Sequence, residues 1–225
     1  MVSRKFLTGN QLKLIAMAAM TCDHVGLQLL PQYPVLRIIG RLALPIYAYM
    51  IGEGCRYTRD RRRYLLSIAV LALVCQVVFW FASASLYQSI LVTFSLSICL
   101  IYALDRALRG NWLPAAICSL SVLFLSVVLP QLLPAHLNYG IDYGVWGILL
   151  PVAVYFAPDR AKLAALSIAL LPLCIGQGGA QWYCYLAVIL LLFYNGKRGK
   201  TPMKNLFYIY YPAQLAIIYL ISIIV

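Results

Sequence analysis

The chain reads as all-α: a polytopic transmembrane helical bundle of about nine spans, with the amino terminus cytoplasmic and the carboxyl terminus outside. Three observations predict this class. Apolar residues make up 64% of the 225 positions and charged residues 11%, whereas soluble domains devote about a quarter of their residues to charge. Apolar runs near the ~20 residues that a helix needs to cross a hydrocarbon core of about 30 Å recur from one end of the sequence to the other. Of the connections between those runs, only every second one carries Lys or Arg.

The first span, residues 10–30, opens on Thr8, Asn10 and Lys13 and ends at Pro31 without a small-residue cleavage site. It is therefore expected to persist as a helix rather than serve as a removable signal peptide. The turn from Pro31 to Pro34 is short, which makes the second span, 35–55, an antiparallel neighbour of the first. The basic run RYTRDRRR over 56–63 leads to the third span, 64–82. The fourth, 88–104, and the fifth, 112–130, flank the charged connection 105–109. A Pro-containing connection over 130–140 precedes the sixth, 141–157. The seventh and eighth, 162–176 and 182–194, are short enough to be expected as little tilted or partly re-entrant, and the ninth covers 206–225. No soluble domain fits between these segments, so residues 1–225 read as one transmembrane domain.

The basic residues test the count. Arg4 and Lys5, the run 56–63, the connections 105–109 and 159–162, and the segment 197–204 all fall on one side if nine helices alternate. The opposite connections, around 31–34, 83–88, 130–140 and 177–181, carry no Lys or Arg. Because cytoplasmic loops collect these residues, the pattern fixes the expected orientation, and an even count would spoil it. The net charge of +12 is then explained by topology and by contact with membrane lipids of anionic headgroup. No module interleaving basic and aromatic residues is present, and no nucleic-acid partner is expected. The cysteines at 75, 99, 118, 174 and 184 are scattered within spans without a CxxC pair, and read as packing residues rather than disulfides or metal ligands. No metal site, phosphate-cradling glycine loop or GxSxG elbow is found.

What remains is a set of polar residues at membrane depth, where charge is expensive and function is the default expectation. Asp23 and His24 lie about seven residues below the outer end of the first span, and Arg41 about six residues into the second from the same side. At 1.5 Å per residue, all three sit roughly 10 Å below the outer surface. An Asp23–Arg41 ion pair is the expected way to keep both charges inside. Arg37 shares the face of Arg41 one turn away, creating a local positive excess suited to an anion or a developing oxyanion. Lys13 precedes His24 by eleven residues on nearly the same face, about 16 Å lower. That spacing suits a ligand with a phosphate-bearing head in the cytosol and an extended reactive arm. The packing alternative pairs Lys13 with Glu53 and makes His24 a satisfied core residue.

The segments LTGNQLKLIAMAAMTCDHVG, LRIIGRLALPIYAYMIGEGCRYTRDRRRYLL, IDYGVWGILLPVAVY and YNGKRGKTPMKNLFYIYYPAQL resemble the TraX family, membrane acetyltransferases named for F-pilin acetylation. The Asp-His pair and the GRxAxPIxAYxIxEGxRxTR block carry the resemblance most specifically, and residues 83–138 carry it least. It implies a bacterial inner-membrane acyltransferase that moves an acetyl or other acyl group from cytosolic acyl-CoA to an amine or hydroxyl, such as a pilin amino terminus or another envelope molecule. No cofactor is implied beyond acyl-CoA as donor substrate. One departure stands out: where the family pattern has Tyr-Pro-x-His in the last helix, this chain has Tyr211-Pro212-Ala213-Gln214. Gln214 can hydrogen-bond but cannot transfer a proton, which leaves His24 as the only intramembrane imidazole.

Together these readings assign His24 as general base, with an acyl-carrying nucleophile as the alternative, Arg41 or Arg37 as oxyanion stabiliser and Asp23 as the residue that orients them. The donor phosphates are expected near Lys13, Lys197, Arg198 and the basic connections 56–63 and 197–204. Glu53, Arg56 and Tyr57 are placed at its cytoplasmic mouth, and Tyr208, Tyr211 and Gln214 along its path. Pro45 and Pro212 are expected to interrupt their helices. A small solute transporter or flippase, and a noncatalytic relative of the enzymes, are the alternatives. No similarity between halves supports the transporter, and Gln214 is the argument for the noncatalytic relative.

Overall fold

The computed structural model describes residues 5–83, 85–200 and 203–224; the side chains of Ala82, Ser83, Lys204, Asn205 and Tyr208 lie outside the described residues. The fold is all-α. Two compact units are distinguished, Met1–Met50 with Asp159–Val225, and Ile51–Pro158.

In the first unit α1 spans Gly9–Gln28 and begins with a capping box. The Thr8 hydroxyl accepts from the Gln11 backbone N–H at 3.3 Å, and the Gln11 side chain accepts from the Thr8 N–H at 2.9 Å, satisfying two otherwise orphaned donors. The chain turns at Pro31–Tyr33 into α2, Pro34–Gly40, with Pro34 in the first turn where its missing N–H is harmless. The expected second span is broken at Arg41–Leu42 before α3 resumes at Ala43–Tyr57. Pro45 explains the break, since it cannot donate to the carbonyl of Arg41 four residues earlier. Pro212, by contrast, lies inside an uninterrupted helix, so only one of the two expected proline breaks occurs.

The unit is completed by α9 (Lys162–Gln177), a 3-10 segment Gly179–Cys184, α10 (Tyr185–Leu192) and α11 (Lys204–Ile224). Gly178 and Gly179 take φ of 63° and 47°, a left-handed turn that only glycine adopts freely, and this swings the chain from α9 back into the 3-10 segment. Residues after α10 return to the start of α1: Gly9 N–H donates to Lys197 O at 2.8 Å and Asn10 N–H to Arg198 O at 2.9 Å.

The second unit holds α4 (Arg61–Ser83), α5 (Ile90–Ala107), α6 (Leu113–Leu123) and α8 (Gly144–Phe156). A π-helical turn, Phe124–Val128, joins α6 to α7 (Leu129–Leu132), so the fifth expected span is one irregular helix. Pro130 accounts for the irregularity, because it removes a donor from the ladder. Two-residue strands β1 (Tyr87–Gln88) and β2 (Gly140–Ile141) pair in parallel. The core centres on α5 and α8, where Ile98, Ile101, Ile148, Leu150 and Val154 are fully buried. Buried hydroxyls there find backbone acceptors: Thr93 donates to Asp142 O and Ser97 to Ile148 O, each at 2.8 Å.

All nine expected segments are helical among the described residues. Among the described residues, four helices are long and apolar enough to cross a membrane: Pro34–Tyr57, Arg61–Phe81, Ile90–Ala107 and Leu113–Leu132. Gly144–Phe156, Lys162–Gln177, Gly179–Leu192 and Ile209–Ile224 are shorter apolar helices. α1 has the length, with 20 residues, but Asn10, Gln11, Lys13, Asp23 and His24 dilute its hydropathy.

Candidate functional site

The candidate site lies in the first unit, on the last two turns of α1. Its helices come close because two glycines face across them. A Cβ on Gly26 would stand 2.7 Å from Leu36 Cβ, and one on Gly40 would stand 2.6 Å from Asp23 Cγ and nearer still to its Oδ1. Both contacts are too short for real atoms, so α2 approaches α1 at this distance only with glycine at those positions.

That approach lets Asp23 meet two arginines. Arg41 Nη2 donates to Asp23 Oδ1 at 2.8 Å and Arg37 Nη1 to Asp23 Oδ2 at 2.7 Å. The pair expected between Asp23 and Arg41 is thus present and is widened to a triad with a formal charge of +1. Arg41 is buried and further committed, donating through Nε to Arg37 O at 3.3 Å and through Nη1 to Gln181 Oε1 at 3.0 Å. Arg37 is the more open, with its side chain 32% exposed. Its Nε and Nη2 make no hydrogen bond among the described residues, so it retains donors for an anion.

On the other side of α1 stands α11. Gln214 Nε2 is 2.7 Å from His24 Nδ1, and the Tyr211 ring packs edge-on to the imidazole with centroids 6.1 Å apart. One turn earlier, the Thr21 hydroxyl is hydrogen-bonded to the Tyr210 hydroxyl. Lower still, Lys13 Nζ lies 5.4 Å from the Phe207 ring centroid, a cation–π contact. The partners of 13, 21 and 24 are 207, 210 and 214, so α1 and α11 run parallel.

The Gln214 amide decides what His24 can do. When its nitrogen donates to Nδ1, the neutral ring carries its proton on Nε2 and offers no base. When the amide is turned over, Oε1 accepts from Nδ1–H and Nε2 is a free base; the two orientations fill the same space. Gln214 Oε1 and Gln181 Nε2 are both buried and have no hydrogen-bond partner among the described residues, so the cluster holds polar capacity that the protein itself does not use.

The remaining sequence-predicted residues separate into two groups. Lys13, Lys197 and Arg198 gather around the first turns of α1, with Arg198 close enough to Lys13 for their like charges to oppose each other. Glu53, Arg56 and Tyr57 belong to the second unit, at the end of α3, where Glu53 is buried, Arg56 donates to Ala157 O at 3.3 Å and Tyr57 is exposed. The Tyr208 side chain lies outside the described residues. Sequence reasoning missed Gln181, Thr21 and Tyr210. The glutamine that closes the glycine-rich connection and a threonine one turn from His24 were the available signals. It also scattered the cysteines, whereas Cys174 Sγ and Cys184 Sγ lie 3.4 Å apart, both buried. Among the described residues no group of three His, Cys, Asp or Glu could hold a metal ion.

The family model of the TraX protein matches residues 8–222, which include every element of this cluster. The chain belongs to the TraX family. The TraX-family chain is similar to a protein of Dichelobacter nodosus described as a probable fimbrial assembly protein FimC of serogroup H1. The two are 27% identical over 92% of this chain and 93% of that protein. It is also similar to an uncharacterized protein of Rickettsia prowazekii (strain Madrid E), 27% identical over 65% of this chain and 54% of that protein. No solved structure matches it significantly.

Proposed function

We propose that this protein is an acyl-CoA-dependent acyltransferase of the bacterial inner membrane, with nine spans, a cytoplasmic amino terminus and an outer carboxyl terminus. The observation that carries this reading is the His24 imidazole, held at Nδ1 by Gln214 and set in the electrostatic field of Asp23, Arg37 and Arg41. The parallel course of α1 and α11 supports the topology, because the first and last of an odd number of alternating spans point the same way.

In the reaction, the phosphates of the donor are held near Lys13, Lys197 and Arg198, and its thioester extends along α1 by the ~16 Å that separates Lys13 from His24. His24 Nε2 takes a proton from the acceptor amine or hydroxyl as that atom attacks the thioester carbonyl. The charge that develops on the carbonyl oxygen is met by Arg37, whose free donors suit the task better than the fully engaged Arg41. As the intermediate collapses, the carbon–sulfur bond breaks and the imidazolium returns its proton to the departing thiol, giving acylated acceptor and free CoA. Asp23 fixes both guanidiniums. The fimbrial-assembly description of the Dichelobacter relative supports an acceptor associated with pili, such as a pilin amino terminus.

Gln214 itself favours a second reading. If its amide nitrogen stays on Nδ1, the ring is no base and the protein is a noncatalytic member of the family. Incubating purified protein with radiolabelled acetyl-CoA and a bacterial membrane extract separates the two. Label in a protein or lipid acceptor supports the enzyme, and free acetyl-CoA recovered intact supports the noncatalytic form.

A further inference from the structure

The second unit contains a cavity that the proposed reaction does not use. It measures about 310 Å³ and lies where the start of α4, the end of α5 and the start of α6 meet. Arg61, Arg62, Arg106 and Arg109 line it together with one carboxylate, Asp105, leaving a formal charge of +3. Asp105 is already engaged, accepting from Arg61 Nη1 at 2.6 Å and Arg109 Nη2 at 2.9 Å. Arg61 is further anchored over the Tyr102 ring, 5.0 Å from its centroid. The guanidinium groups of Arg62 and Arg106 make no ion pair or hydrogen bond among the described residues. The positive-inside rule requires basic residues in a connection, but it does not require four guanidiniums around one hollow.

We infer that this cavity binds the phosphate of an anionic phospholipid. Guanidinium is suited to the task because its planar fork pairs with two phosphate oxygens, and Arg62 and Arg106 have that capacity to spare. The walls favour a ligand with a tail. Exposed Leu66, Val70 and Leu73 continue from the cavity along α4, and exposed Leu113, Ile117 and Leu120 along α6. A phosphodiester seated among the arginines would thus lay its acyl chains on an apolar face that already borders lipid. The Lys and Arg distribution puts this end of the helices on the cytoplasmic side, where anionic headgroups draw basic residues. A soluble phosphate compound offers the same head without the tail, and the experiment separates the two sources.

The full-length protein, delipidated in a neutral detergent, would be examined by native mass spectrometry and thermal unfolding. The additions would be phosphatidylglycerol, phosphatidylcholine, inorganic pyrophosphate or coenzyme A. The inference expects phosphatidylglycerol to bind and to raise Tm by several degrees relative to phosphatidylcholine. It expects Arg62→Gln/Arg106→Gln to lose most of that shift and Arg59→Gln/Arg63→Gln, outside the cavity, to keep it. Equal loss in both double variants, or none in either, overturns it. A wild-type protein stabilised equally by the two lipids overturns it whether or not the variants fold. Stabilisation by pyrophosphate or coenzyme A with none from phosphatidylglycerol overturns the lipid assignment in favour of a soluble phosphate.

Discussion

Replacing Asp23 with Ala removes the carboxylate shared by Arg37 and Arg41 and leaves Arg41 charged in a site where its side chain is only 10% exposed. Breaking a buried ion pair by deleting one partner typically costs about 3–5 kcal/mol. Arg37, 32% exposed, can recover part of its solvation, so the lower end of that range, about 3 kcal/mol, applies here. In a chain of 150–250 residues each kcal/mol moves Tm by about 2–4 °C, so the expected fall is roughly 6–12 °C. Unfolding can be followed in detergent with a thiol-reactive fluorophore, since Cys55, Cys75, Cys174 and Cys184 are buried and become reactive only as the protein opens. Asp23→Asn should lose nearly as much, because an amide accepts hydrogen bonds without neutralising charge. The double variant Asp23→Ala/Arg41→Met should recover at least half of the loss, since it removes the stranded cation and refills its volume. A single variant whose Tm falls by less than 2 °C, or a double variant as unstable as the single, would refute the view that this triad is held by charge.

Gly40→Val should displace α2 from α1 and lower Tm by several degrees, as overpacking a tight contact typically costs about 1–3 kcal/mol; an unchanged Tm would show that the interface yields. Gln214→Glu should retain transfer, because a carboxylate accepts from Nδ1–H and enforces the basic tautomer, whereas Gln214→Leu should reduce kcat by about ten-fold or more. Equal rates in the two variants would remove the tautomer argument. Cysteine labelling should place residues 56–63 and 197–200 in the cytoplasm and 130–140 outside, and finding both sets on one side would end the nine-span proposal.

Helix positions were legible because every connection except 83–88 is marked by charge, Pro or Gly, and because a membrane span has a length set from outside the protein. The Asp23–Arg41 contact was legible for a related reason. The four-residue connection 31–34 makes the two helices neighbours, and matched depth then leaves few partners. The break at Arg41–Leu42 was half-visible through Pro45, yet the same logic at Pro212 fails because the packed α11 tolerates the lost bond. The order of helices around the site was not legible, since nothing in the periodicity of α11 says that Gln214 meets His24 or that Gln181 reaches Arg41. Those contacts depend on how distant segments pack, and the Cys174–Cys184 approach depends on a glycine turn whose direction spacing alone does not give. The choice between Arg41 and Arg37 as proposed oxyanion stabiliser was open in the sequence for the same reason: only the hydrogen bonds reveal which guanidinium is already occupied.

The central claim is that His24 is the base, and its direct test compares acyl transfer by the parent with transfer by His24→Ala and His24→Gln under saturating acetyl-CoA. Both variants should fold and retain acetyl-CoA, since Lys13, Lys197 and Arg198 are untouched. Transfer should fall by about 10²–10⁴, the usual contribution of a positioned general base. Transfer at the parental rate in both variants would make His24 a structural residue and contradict the account.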